Sequence, residues 1–201
     1  MSHECYENQN FQFFQTLTQL RKLNISFSSK FLLKSLQNCK QLTHLKVVSN
    51  ESLKHCFTDI HLYLPQLTHF YCHFFRYITD EELKPLAKLK HLKHVMINFC
   101  DCDSSLLTDE SFCEIINNCP EMRSILMNKR PKITHKTIDA LISLAERKPF
   151  RHFVYSFGRK SCNKSDDYLE FLSGKKYENV PKNLNFIPYD RDTTLSFANH
   201  R

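Results

Sequence analysis

At 201 residues the chain has room for one or two globular domains, and its formal charge of +7 at pH 7 is moderate. Only two glycines occur, Gly158 and Gly174, and neither belongs to a G-x-G-x-x-G or G-x-x-x-x-G-K pattern. Loops that turn tightly around a phosphate need glycine, so dinucleotide-binding, P-loop and kinase chemistry are excluded.

The chain opens on a polar stretch, Met1 to Asn10, with no secretory signal. The nine cysteines are odd in number and scattered, which fits a reducing compartment, so a cytoplasmic or nuclear location is expected. No apolar run approaches the roughly 18 residues of a membrane span. Phe11, Phe13 and Phe14 follow, apolar enough to seal the end of whatever comes next, and residues 1–19 are expected to form an N-terminal cap.

From Leu20 onward one phrase recurs: apolar-x-x-apolar-x-apolar. It reads Leu20-Arg-Lys-Leu23-Asn-Ile25, Leu42-Thr-His-Leu45-Lys-Val47, Leu67-Thr-His-Phe70-Tyr-Cys72, Leu92-Lys-His-Val95-Met-Ile97 and Met122-Arg-Ser-Ile125-Leu-Met127. The spacings are 22, 25, 25 and 30 residues, and a sixth copy, Phe150-Arg-His-Phe153-Val-Tyr155, comes 28 residues later. A period of roughly 20 to 30 residues with this internal pattern marks a leucine-rich-repeat solenoid, an α/β stack in which each unit supplies one short strand and a returning helix. Parallel strands are expected on the concave side and helices on the convex side, with the repeats spanning residues 20–158.

Between phrases the apolar spacing becomes helical. After Val47 the set is Leu53, Phe57, Ile60, Leu62 and Leu64; after Ile97 it is Leu106, Phe112, Ile115 and Ile116; after Met127 it is Ile133, Ile138, Leu141, Ile142 and Leu144. Steps of three and four place one apolar stripe on each helix. Three helices share an opening, Ile78-Thr79-Asp80, Leu107-Thr108-Asp109 and Ile133-Thr134-His135, where the threonine or aspartate suits an N-cap. Pro65, Pro120 and Pro149 fall just before the next phrase, where a helix must have ended. Beyond Arg159 the phrase fades; Ser165 to Tyr177 reads as one more helix and Leu184-Asn-Phe186 as a degenerate seventh strand, so residues 159–201 are assigned to a C-terminal cap and tail.

In a parallel ladder the fourth and sixth positions point into the core, and the third, fifth and seventh point to the concave side. The third column reads Lys22, His44, His69, His94, Ser124, His152; the fifth Asn24, Lys46, Tyr71, Met96, Leu126, Val154; the seventh Ser26, Val48, His73, Asn98, Asn128, Ser156. Strands about 4.8 Å apart make His44, His69 and His94 neighbours in one row. Beside them Tyr71, Met96, Leu126 and Val154 are expected to form an exposed apolar row, the mark of a protein-binding patch. The candidate partner-binding residues are therefore His44, His69, Tyr71, His73, His94, Met96, Leu126, His152 and Val154.

Neither a metal nor a cofactor is expected. The histidine row has no carboxylate or cysteine to complete a site, and Cys100-Asp-Cys102 with Cys72 and His73 lacks the two-residue spacing of structural zinc sites. No nucleophile motif such as G-x-S-x-G and no H-E-x-x-H is present, so the chain is not expected to be an enzyme. Basic residues gather at Lys129, Arg130, Lys132 and at Arg147, Lys148, Arg151; without a recognised nucleic-acid module they read as a solvated rim, and a nucleic-acid partner is not expected.

The strand phrase, Cys39 and Cys119 before it, Cys100 after it, and the Ile78-Thr79-Asp80 and Leu107-Thr108-Asp109 openings resemble the cysteine-containing leucine-rich repeats of F-box/leucine-rich-repeat proteins. The resemblance runs from about residue 17 to residue 158. It implies a module that holds a protein substrate for an SCF-type ubiquitin ligase. In that family an N-terminal F-box docks on the cullin ligase, and only 19 residues precede Leu20 here, too few for one, so the expectation is either a fragment of a longer product or a free-standing repeat protein. The alternative expectation is an F-box-free scaffold or inhibitor with no link to ubiquitination.

Overall fold

The computed structural model describes residues 12–26, 32–49, 56–74, 78–99, 106–127, 134–157 and 181–186. Seven strands, β1 (Lys22–Ser26), β2 (His44–Ser49), β3 (His69–Phe74), β4 (His94–Phe99), β5 (Ser124–Met127), β6 (Phe153–Phe157) and β7 (Leu184–Phe186), form one open, parallel sheet in sequence order. The helices α1 (Leu32–Ser35), α2 (Ile60–Tyr63), α3 (Asp80–Leu83), α4 (Asp109–Asn118) and α5 (His135–Arg147) lie in the connections, with short 3-10 turns at Gln12–Thr16 and Lys84–Lys88. The protein is thus an α/β molecule. Among the described residues no helix is long and apolar enough to cross a membrane.

In each of the first five phrases the strand begins at the third residue, and the register keeps the phrases in step: Leu45 lies beside Phe70, Phe70 beside Val95, and Val95 beside Ile125. A turn ends each connection, with Leu42 N–H donating to Cys39 O, Leu67 to Leu64, Leu92 to Leu89 and Met122 to Cys119. The carbonyl at the second phrase position then accepts two amides from the next phrase: Arg21 O from Thr43 and His44, Thr43 O from Thr68 and His69, Thr68 O from Lys93 and His94. This satisfies the backbone where each strand starts, and it locks neighbouring phrases at one offset.

The fourth and sixth phrase positions of β2 to β5 are all buried, and together with Phe57, Ile60, Leu83, Leu86, Phe112, Ile115, Ile116, Ile138 and Leu141 they form one continuous core between sheet and helices. The three shared helix openings do more than cap. Thr79 and Glu82 form a capping box, and Thr108 and Thr134 each accept from the amide two residues on, of Glu110 and Lys136. The aspartate after the first two threonines reaches into the next unit. Asp80 accepts from Thr108 N–H (3.1 Å), Thr108 Oγ1 (2.7 Å) and Ser111 Oγ; Asp109 accepts from the amides and hydroxyls of Thr134 and Thr137 at 2.6 to 3.1 Å. Burial alone would raise the Asp109 pKa, and these four bonds more than offset it, holding the carboxyl below its ordinary value. Cys39 and Cys119 sit before their strands as expected, each thiol directed at a carbonyl of the preceding unit: Phe14 O at 3.4 Å and Leu86 O at 3.5 Å. Burial pushes the Cys119 thiol up to about 12.

Several expectations are corrected. Leu62 does not join the α2 stripe and is 57% exposed, because α2 is one turn long and Leu62 lies about 200° around it from Ile60. Leu106 precedes the Thr108 N-cap and is exposed rather than part of the α4 face. The sixth phrase is shifted by two residues. Ile125 pairs with Tyr155, Ser124 with Val154 and Leu126 with Ser156, while Phe150, the expected first core residue, is fully exposed. The cause is the turn after α5, in which Arg151 N–H donates to Lys148 O, so that the strand begins only at Phe153. A two-residue slip keeps side-chain parity, and Phe153 and Tyr155 both remain buried. The amide nitrogen of Asn183 closes this end, within 2.9 to 3.1 Å of the carbonyls of Ala145, Lys148 and Arg151. The seventh strand forms as β7, pairing Leu184 with Phe153. At the other end Phe14 is buried and Phe13 exposed; Phe11, Leu53, Cys100, Ile133 and the helix expected over residues 165–177 lie outside the described residues.

Candidate functional site

The face of the sheet turned away from the helices carries the candidate residues. His44, His69 and His94 occupy facing positions on β2, β3 and β4, and their rings stack with centroids 3.9 Å and 4.4 Å apart and planes inclined by 11° and 27°. Local hydrogen bonds hold the first two. Thr43 Oγ1 donates to Arg21 O (3.0 Å) and Thr68 Oγ1 donates to Thr43 O (3.0 Å). Each hydroxyl proton is thereby committed to a carbonyl, which only accepts. The same oxygens lie 2.9 Å and 2.8 Å from His44 Nδ1 and His69 Nδ1, so each imidazole donates through Nδ1–H and its neutral form keeps Nε2 as an acceptor. Lys93 replaces the threonine before His94, and there the ring instead meets Ser124 Oγ on β5 at 2.8 Å.

His44, His69 and His73 resist protonation. Burial, then the neighbouring His94 and His44 and the cations Lys93 and Lys22, push His69 down to about 3. His44 is lowered by burial and by Lys22, and His73 by burial and by Lys46. Face-to-face stacking sets the ring nitrogens side by side instead of aiming them at one point. Among the described residues no group of three His, Cys, Asp or Glu side chains is placed to hold a metal.

An open groove of about 470 Å³ crosses β1 to β4, lined by Lys22, Leu23, Asn24, His44, Lys46, Tyr71, Cys72, His73, Met96 and Asn98. Four of the expected residues, His44, Tyr71, His73 and Met96, therefore meet there, with His69 and His94 continuing the stack beside them. Tyr71 is half-buried, and burial raises its hydroxyl pKa. The expected exposed apolar row is not found. Met96 is 6% and Leu126 3% exposed, although neither belongs to the continuous core. Each sits on an inner strand with a row neighbour on either side, and its column position alone does not set its exposure. Val154 leaves that row for the one containing His94 and Ser124, and His152 precedes β6, exposed and outside the ladder.

The groove also holds residues outside the expected set: Lys22 and Lys46, with Asn24 and Asn98. Their signal was positional, since all four stand in the outward columns of the phrase. None of the seven strands contains an aspartate or glutamate, and among the described residues neither Lys22 nor Lys46 is ion-paired. The acids lie elsewhere: Glu121, at the turn before β5, meets Lys93 Nζ (3.2 Å) and His91 Nδ1 (3.0 Å), and Lys84 bridges Glu81 and Glu110 on the helix side.

No protein-family model matches this chain, and no curated protein matches it.

Proposed function

We propose that this chain is a leucine-rich-repeat solenoid whose concave face recognises another protein. The observation that supports the reading is the groove across β1 to β4, where lysines, amides, a tyrosine and neutral imidazoles line about 470 Å³ beside a rigid ladder. A site on packed strands holds its side chains at fixed spacing, which favours specific docking over loose adhesion. The residues that resemble F-box/leucine-rich-repeat proteins support substrate recruitment to an SCF-type ubiquitin ligase as the biological setting. A scaffold or inhibitor role with no ubiquitin connection uses the same face.

Affinity purification of the tagged chain followed by mass spectrometry tests this. Tyr71→Ala is expected to lose a partner that the parent captures, while Glu114→Ala, on the exposed side of α4, retains it, both variants remaining folded at the temperature of the capture. Equal capture by both variants overturns the proposal. Cullin components in the captured set select the ligase setting, and their absence from a set that still depends on Tyr71 selects the scaffold.

A further inference from the structure

We propose that the groove takes an acidic, extended segment of the partner polypeptide, with carboxylates received by Lys22 and Lys46. The inference rests on the protein-recognition reading and adds the chemistry of what is recognised.

Charge complementarity carries it. The register sets Lys22 beside His44 and Asn24 beside Lys46, so the two ammonium groups stand on adjacent strands in adjacent outward columns. Among the described residues no carboxylate lines the groove, no strand supplies one, and none neutralises either lysine. A partner that covered these lysines with neutral surface would remove their hydration without replacement, whereas a carboxylate replaces it with a charge-assisted hydrogen bond. Asn24 and Asn98, at the flanks of the groove, add amides suited to a peptide backbone.

Other occupants fit less well. A nucleic acid gains affinity by having many phosphates neutralised, and two lysines offer little of that. A second copy of this chain would bring the same uncompensated lysines against themselves.

Fluorescence anisotropy on the full chain tests the proposal with a fluorescein-labelled peptide of alternating glutamate and alanine. In an extended peptide every second side chain faces the same way, so all its carboxylates can address the groove. The peptide should bind, and binding should weaken as salt rises because exposed charges are screened within about 8 Å at physiological ionic strength. Lys22→Gln and Lys46→Gln should each weaken it about tenfold. Lys148→Gln makes the same charge change in the turn after α5 and should leave binding intact. Equal binding of the glutamine counterpart, equal loss in Lys148→Gln, tighter binding of oligouridine, or no binding of the glutamate peptide each overturns the proposal. If the glutamate peptide fails while partner capture still depends on Tyr71, protein recognition stands and the acidic partner falls.

Discussion

The two faces of the sheet obey different rules. On the helix side the fourth and sixth phrase positions read Leu45 and Val47, Phe70 and Cys72, Val95 and Ile97, Ile125 and Met127, all buried in one core. On the outer side β1 to β5 pass from Lys22 and Asn24 through Lys46 and Tyr71 to Met96 and Leu126, so that solvent-facing polar groups give way to buried apolar ones. A core side chain must fit both neighbouring strands and a helix, and few residue types do so at native packing density. An outer side chain answers only to its row. Variation along one face of a uniform ladder is where recognition can be written without disturbing the fold.

Substitution of neighbours on one strand gives the harshest test of that contrast. Phe70→Ala should cost about 3–5 kcal/mol in urea denaturation, the range for a fully buried aromatic, whereas Tyr71→Ala, one residue on and facing the other way, should cost about 1 kcal/mol. Equal losses would mean that the outer face is as deeply part of the core as the inner one. The carboxylate between helix starts comes next. Asp80→Ala removes the acceptor of the Thr108 amide and hydroxyl and of the buried Ser111 hydroxyl, and it should cost about 2 kcal/mol because those donors are left unsatisfied. An unchanged midpoint would show that water replaces the carboxylate there.

The inner face was legible in the sequence because its signal is a repeated spacing. Five phrases placed five strands, and the three-residue run at Leu184 placed another, since period-two alternation and a period near 25 residues both follow from geometry. The threonine openings likewise announced three helix starts. What they did not announce is the reach of Asp80 and Asp109 into the following unit, which needs the offset between neighbouring helices. Phe150 misled because an apolar residue after Pro149 matches the phrase, yet the turn closing α5 consumes it, and only the hydrogen bond from Arg151 to Lys148 O reveals the shift. On the outer face the sequence placed the histidine stack correctly from column position. It overestimated the exposure of Met96 and Leu126, because a column says which way a side chain points and not what shields it. Lys22 and Lys46 were overlooked for a related reason: a lysine on a surface is unremarkable until the absence of acids from all seven strands is set beside the groove it lines.

Acid sensitivity sharpens the contrast further, since the outer face holds the strand histidines and the inner face none. Folded His69 titrates down at about 3, against an ordinary 6.5, chiefly because it is buried and then because His94 and His44 flank it. Between pH 6.5 and about 3 the unfolded chain therefore binds a proton that the folded chain refuses, so stability is full above 6.5 and falls as the pH drops through that window. His69→Phe keeps an aromatic ring in the stack and cannot titrate. At pH 5 it should recover on the order of 1 kcal/mol relative to the parent, allowing for solvent screening of a half-exposed ring, and it should show no such gain at pH 8. A gain of equal size at both pH values would assign the effect to packing instead of charge.

The smallest effect belongs to Lys46, and it isolates the field within the groove. Its ammonium group disfavours the protonated form of His73, adding to the effect of burial. Lys46→Ala should leave the urea midpoint within about 0.5 kcal/mol, as expected for an exposed side chain without a structural partner. The His73 ring resonances should nonetheless titrate at higher pH in the variant, toward the ordinary histidine value. Added salt should produce the same upward movement in the parent and less in Lys46→Ala, because ions screen the lysine but leave burial unchanged. A His73 titration that ignores both the substitution and the salt would place the lysine charge outside the groove, and with it the basis for selecting acidic segments there.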